Sequence, residues 1–176
     1  LNLGNNRLTD VSALASLEQL KTLHLSFNGL TDVGPLAKLA QLEHLHLNGN
    51  QLTDVDALVG LAKLKTLILS GNKLTNVSAL EKLKQLKYLS LVGNKRIGLN
   101  TLAKLTQLKS LGLSSSRLTD VSALSGLTQL TLLHLPRNIN PLLTSREAPI
   151  TVLQRILEKL MRRNMQLAIS ILRYLF

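Results

Sequence analysis

Cysteine and tryptophan are absent from the 176 residues, and aromatic side chains make up only 2% of them. Without thiols the chain has no disulfide framework and no thiolate metal site, and it suits either redox compartment. With so few aromatics, any core must be filled by aliphatic side chains. No apolar run approaches the roughly 18–20 residues that a membrane-spanning helix needs. No signal peptide is visible; the chain opens at Leu1, inside a strand-like pattern, without Met or a polar cap. Acidic residues are also scarce, 10 against 21 Lys and Arg, for a net charge of +11. Residues 1–140 carry +7 of this and residues 141–176 carry +4. Such a balance attracts acidic partners, nucleic acid or anionic lipid. The plainer reading is a solubilising surface.

What the chain has in abundance is leucine, and it comes in register. The stretch Leu45–Thr66, LHLNGNQLTDVDALVGLAKLKT, is 22 residues long and recurs from Leu1, Leu23, Leu67, Leu89 and Leu111, with a partial copy from Leu133. With Leu45 as position 1, Leu45 and Leu47 alternate with His46, the period of a half-buried strand. Position 6 reads Asn6, Asn28, Asn50, Asn72, Asn94, Ser116 and Asn138. An Asn there can bond backbone groups of its own turn and of the next one, so stacked copies form a ladder. Leu52, Val55, Leu58, Leu61 and Leu64 follow at intervals of three, which suits short 3₁₀ turns better than an α-helix. One such unit cannot bury its apolar side alone, but a stack of them can.

The array resembles the leucine-rich repeat family, in the 22-residue bacterial class typified by internalins. The phrases NRLTDVSAL (Asn6–Leu14) and DVGPLAKL (Asp32–Leu39) carry that resemblance, which covers roughly residues 1–140. It implies an α/β solenoid: a horseshoe arc with a parallel concave sheet of about seven strands and 3₁₀ or irregular convex turns. It also implies binding of a protein partner through the concave face, and it favours a cell-surface or secreted setting. Solenoids need caps at their ends, so the bare start at Leu1 leads us to expect a piece whose upstream repeats and N-terminal cap are missing. Pro35 is tolerated at position 13, the head of a convex turn. In the fifth repeat Lys95-Arg96-Ile97-Gly98 replaces the usual x-Leu-Thr-Asp, and Ile97 is expected to take over the core role of Leu.

After Pro136–Pro141 the pattern changes. Thr144-Ser145-Arg146-Glu147 has capping-box spacing, and Pro149 suits a first helical turn. Leu153, Ile156, Leu157, Leu160, Leu167, Ala168, Ile171, Leu172 and Leu175 then share one helical face. Unbroken, residues 150–175 would form a helix roughly 39 Å long; Asn164 in the apolar stripe favours a break. Residues 141–176 are thus expected to be an amphipathic C-terminal cap. The alternatives are a basic helix docked on a membrane through residues 150–175, or a junction to a further domain. NPLL (Asn140–Leu143) and AISILRYL (Ala168–Leu175) are similar to the segment closing repeat arrays ahead of Roc GTPase domains, which implies a regulatory module. No G-x-x-x-x-G-K-[ST] occurs in the chain.

Strand alternation turns positions 22, 2 and 4 outward. The candidate contacts are therefore Thr22, His24, His44, His46, Asn48, Ile68, Tyr88 and His134, with Phe27 at a strand end. All four histidines fall on this face. His24, His44 and His46 come close enough to raise a zinc site, but no carboxylate on the face completes one, and the expectation is no metal and no cofactor. Lys21, Lys65, Lys87 and Lys109 share position 21 as a basic ridge. It lacks interleaved aromatics for base stacking, so no nucleic acid is expected. Catalysis finds no support: there is no Cys nucleophile and no G-x-S-x-G. Asp10, Asp32, Asp54 and Asp120 recur as turn residues. The expectation is a monomeric, non-enzymatic binding scaffold.

Overall fold

The structure is a computed structural model and describes residues 1–94, 97–113, 124 and 126–134. Six three-residue strands form one parallel sheet in chain order: β1 (Thr22–His24), β2 (His44–His46), β3 (Thr66–Ile68), β4 (Tyr88–Ser90), β5 (Ser110–Gly112) and β6 (Leu132–His134). Every register pairs a residue with the one 22 further on, as in Leu23 with Leu45 and Leu45 with Leu67. The expected seventh strand, at Leu1, is reduced to an isolated bridge between Asn2 and His24.

The return paths are 3₁₀ segments at Ser12–Ser16, Gly34–Lys38, Asp56–Gly60, Ser78–Lys82 and Leu102–Lys104. Their hydrogen bonds explain the spacing of three. Leu58 N–H donates to the carbonyl of Val55, Leu61 to Leu58, and Leu64 to Leu61, each at 3.0 Å. Each apolar residue is one 3₁₀ turn past the last, so every third side chain points the same way. Pro35 stands in the first turn of its segment, where its missing N–H leaves no bond unmade. The acid at position 10 starts the turn. Asp10 accepts from Ser12 N–H and Ser12 Oγ, and Asp32 accepts from Gly34 N–H. Its recurrence is thus a matter of turn formation.

Leucine fills the interior from end to end. Leu45, Leu47, Leu52, Val55, Leu58, Leu61 and Leu64 are all fully buried, as are their counterparts in neighbouring repeats. Leu1 and Leu17 are 48% and 41% exposed, while their equivalents Leu23 and Leu39 are 0%. The difference is the shelter given by a preceding repeat, which is what stacking contributes. In the irregular fifth repeat Ile97 is buried in the core, as expected, and Leu99 takes the usual Val place beside it.

Asn28, Asn50, Asn72 and Asn94 form the ladder. Asn50 Nδ2 donates to the carbonyls of Leu25 (3.0 Å) and Leu47 (2.9 Å), and its Oδ1 accepts from Leu30 N–H (3.1 Å). Asn72 repeats this with Leu47, Leu69 and Leu52. Asn6 differs. It is exposed, and its Nδ2 reaches Gly4 O within its own turn. Asn138, Ser116, the expected helical segment at 141–176 and its break at Asn164 lie outside the described residues.

Candidate functional site

Among the described residues no element covers the outward face of the sheet. Position 22 shows Thr22, His44, Thr66, Tyr88, Ser110 and Leu132; position 2 shows His24, His46, Ile68, Ser90, Gly112 and His134. These columns carry no Asp, Glu, Lys or Arg. Parallel pairing holds each row flat, with adjacent strands about 4.8 Å apart. Most of these residues are partly exposed; Tyr88 and Leu132, at 47% and 40%, are the large apolar ones most open to solvent.

The three expected neighbours among the histidines do not converge. The rings of His24 and His46 stack, centroids 4.2 Å apart and 12° from parallel. His44 turns aside, its Nδ1 lying 3.0 Å from Thr66 Oγ1. Among the described residues no group of three metal-binding side chains is brought together. The physical reason is that His44 finds a hydroxyl partner one strand away, while its own strand-mate His46 finds a ring. Burial, and then the charges of His24 and His44, hold the His46 imidazole below its ordinary pKa. A positive charge on either neighbouring ring disfavours protonation of His46, because like charges at that distance repel. His134 lies on β6, about 19 Å across the sheet from β2, and joins none of them.

Asn48 and Ser26 use their polar ends on each other, the Ser26 hydroxyl donating to Asn48 Oδ1 at 2.5 Å. Ser70 and Ser90 share a hydroxyl bond of 2.7 Å further along. Beyond them runs position 5, where the chain turns with positive φ. Gly49, Gly71 and Gly93 stand at +70°, +66° and +73°, and Phe27 adopts the same conformation at +54°. A bulky side chain there is strained by roughly 1–2 kcal/mol. Its ring lies on bare backbone: a Cβ on Gly49 would fall 2.4 Å from Phe27 Cδ1. The ring is nevertheless 58% exposed. Sequence reading placed Phe27 at a strand end but missed its backbone. The signal was available, because Phe stands where three other repeats have Gly.

The ridge at position 21 borders the face. Each carbonyl in that row accepts two bonds from the next repeat. Glu43 and His44 N–H both donate to Lys21 O, and Lys109 and Ser110 N–H both donate to Lys87 O. Glu43 forms an ion pair with Lys65, whose hydrogen bond and charge hold its carboxyl below the usual range.

Comparison with known proteins places this architecture. Two models described as leucine-rich repeats match, one with two copies over residues 1–38 and 18–60 and the other over residues 40–95. An internalin (inlF) of Listeria monocytogenes is 35% identical with a TM-score of 0.71, covering 73% of this chain. A leucine-rich repeat protein of Leptospira interrogans is 27% identical with a TM-score of 0.74, covering 90%. A plant receptor kinase ectodomain from Arabidopsis thaliana, GASSHO1/SCHENGEN3, in complex with Casparian strip integrity factor 2, is 29% identical with a TM-score of 0.64, covering 78%. The chain spans 38%, 41% and 18% of these three proteins. No curated protein matches it.

Proposed function

Because the chain belongs to the leucine-rich repeat proteins, of the internalin-like type, we propose that it is a non-enzymatic scaffold holding a partner protein against its concave sheet. Proteins of this family are generally interaction scaffolds. The observation that carries the reading here is the sheet face itself: six in-register strands present uncharged, partly exposed side chains that no other element among the described residues shields. Tyr88, His24, His44 and His46 supply its aromatic contact area, and interface cores favour such residues over charges. Phe27, strained and exposed at the end of β1, supports a contact there, since strain of this kind persists where something other than stability has kept it. Among the neighbours, the plant ectodomain is bound to another protein factor.

The test replaces His24, His44, His46 and Tyr88 with Ala and compares affinity capture with the parent chain. None of the four side chains belongs to the core, so circular dichroism should show both folded. The expected outcome is a protein captured by the parent and lost with the variant. Equal capture by both would remove the concave face from consideration. The membrane-docking and GTPase-adjacent readings rest on residues 141–176, outside the described residues.

A further inference from the structure

Charge is segregated around the sheet. Among the described residues Asp10, Asp32, Asp54, Asp56 and Glu81 sit in or at the head of the convex turns, and Glu18 lies in the loop that follows. Glu43 alone stands at the strand entrance, and it is already taken by Lys65. Lys87 and Lys109 occupy the same row one and two strands on. Among the described residues neither has an ion-pair partner, whereas Lys65, Lys82 and Lys104 do. Their backbones are fixed. Lys109 N–H donates to Lys87 O at 2.8 Å, and β4 pairs with β5 in register from Tyr88 and Ser110 onward. Two like charges are thus held on adjacent strands, a destabilising arrangement unless an anion joins them. Tyr88, the exposed aromatic of the neighbouring row, follows Lys87 directly in the chain.

We propose that this rim binds an acidic, extended protein segment, with adjacent Asp or Glu side chains on Lys87 and Lys109 and an apolar side chain on Tyr88. The inference rests on the concave-face reading and adds the chemistry of the partner. Protein is favoured over nucleic acid by the sheet's make-up. Successive bases need an aromatic platform on one strand after another, and Tyr88 is followed in its row by Ser110 and preceded by Thr66. The charge-free columns beyond the rim suit the uncharged remainder of a peptide.

The probe is a fluorescein-labelled decapeptide of alternating Glu and Val, with a Gln/Val peptide as its neutral counterpart, in fluorescence anisotropy with the full chain at low salt. The variant Lys87→Glu/Lys109→Glu is set against Lys63→Glu/Lys73→Glu. The second changes net charge equally at exposed positions whose lysines bond only Gln41 and Gln51. The expected result is a loss of about tenfold or more in affinity for the acidic peptide in the rim variant. The other variant should stay within about threefold, and the neutral peptide should not bind. Equal losses in both variants would reduce the effect to net charge and overturn the rim. Tighter, equally rim-dependent binding of a labelled oligo-dT would overturn the choice of protein. A natural partner lost by the concave alanine variant but retained by Lys87→Glu/Lys109→Glu would keep the concave reading and sink this one.

Discussion

One carboxamide can tie three stretches of backbone. Asn72 is buried, and its side chain gives hydrogen to two carbonyls, Leu47 and Leu69, while taking it from Leu52 N–H. Replacing it with Ala would strand a buried N–H and weaken two carbonyl sites, each group costing about 1–3 kcal/mol. Asn72→Ala is expected to lose about 3 kcal/mol in urea unfolding, a loss that Asn6→Ala, at the exposed end of the ladder, should not approach. This role was legible in the sequence, because Asn recurs every 22 residues at a place where the chain must turn. The left-handed backbone of Phe27 was not, because a side chain's identity does not report its φ. Only the column of Gly49, Gly71 and Gly93 beside it does.

At the scale of elements, β1 and β2 set a titration. His46 has its pKa lowered by burial and then by the charges of His24 and His44. The unfolded chain, with histidine near its ordinary pKa of about 6.5, therefore takes up a proton before the folded protein does. Stability tracks that difference: it should fall as pH drops through about 6.5 and level off below the folded pKa. The thermal midpoint of the parent chain should decline between pH 7.5 and 5 more steeply than that of His46→Asn, which keeps a polar side chain but has no proton to gain. A parallel slope in the two proteins would assign the decline elsewhere. The adjacency of His24 and His46 could be read from the repeat length alone. The stacking could not, nor could the departure of His44 toward Thr66, because both depend on side-chain rotation that the period leaves free.

The whole molecule is a stack in one dimension. Each strand pairs with the strands 22 residues before and after it, and the Asn ladder spans the same step. Removing residues 45–66 joins His44 to Leu67 with every position in phase. The shortened chain should remain folded by circular dichroism, with a lower thermal midpoint because one interface is gone. Removing only residues 45–55 breaks the phase and should abolish the cooperative transition. The architecture was legible for this reason: a period repeated six times states which residues are neighbours, and stacking does the rest. The partner was not legible, since the face it would meet is built from positions where the repeat leaves the residue free to vary.

The same step-by-step pairing has a mechanical meaning. The described strands lie side by side in chain order, and among the described residues none of them pairs with a segment from far along the sequence. Tension applied at the two ends would thus load the interfaces in series. Such a chain yields one link at a time, paying out roughly 75 Å of slack for each 22-residue unit that lets go. A partner spanning several strands would stiffen those links together, so that being bound and being hard to stretch become the same condition.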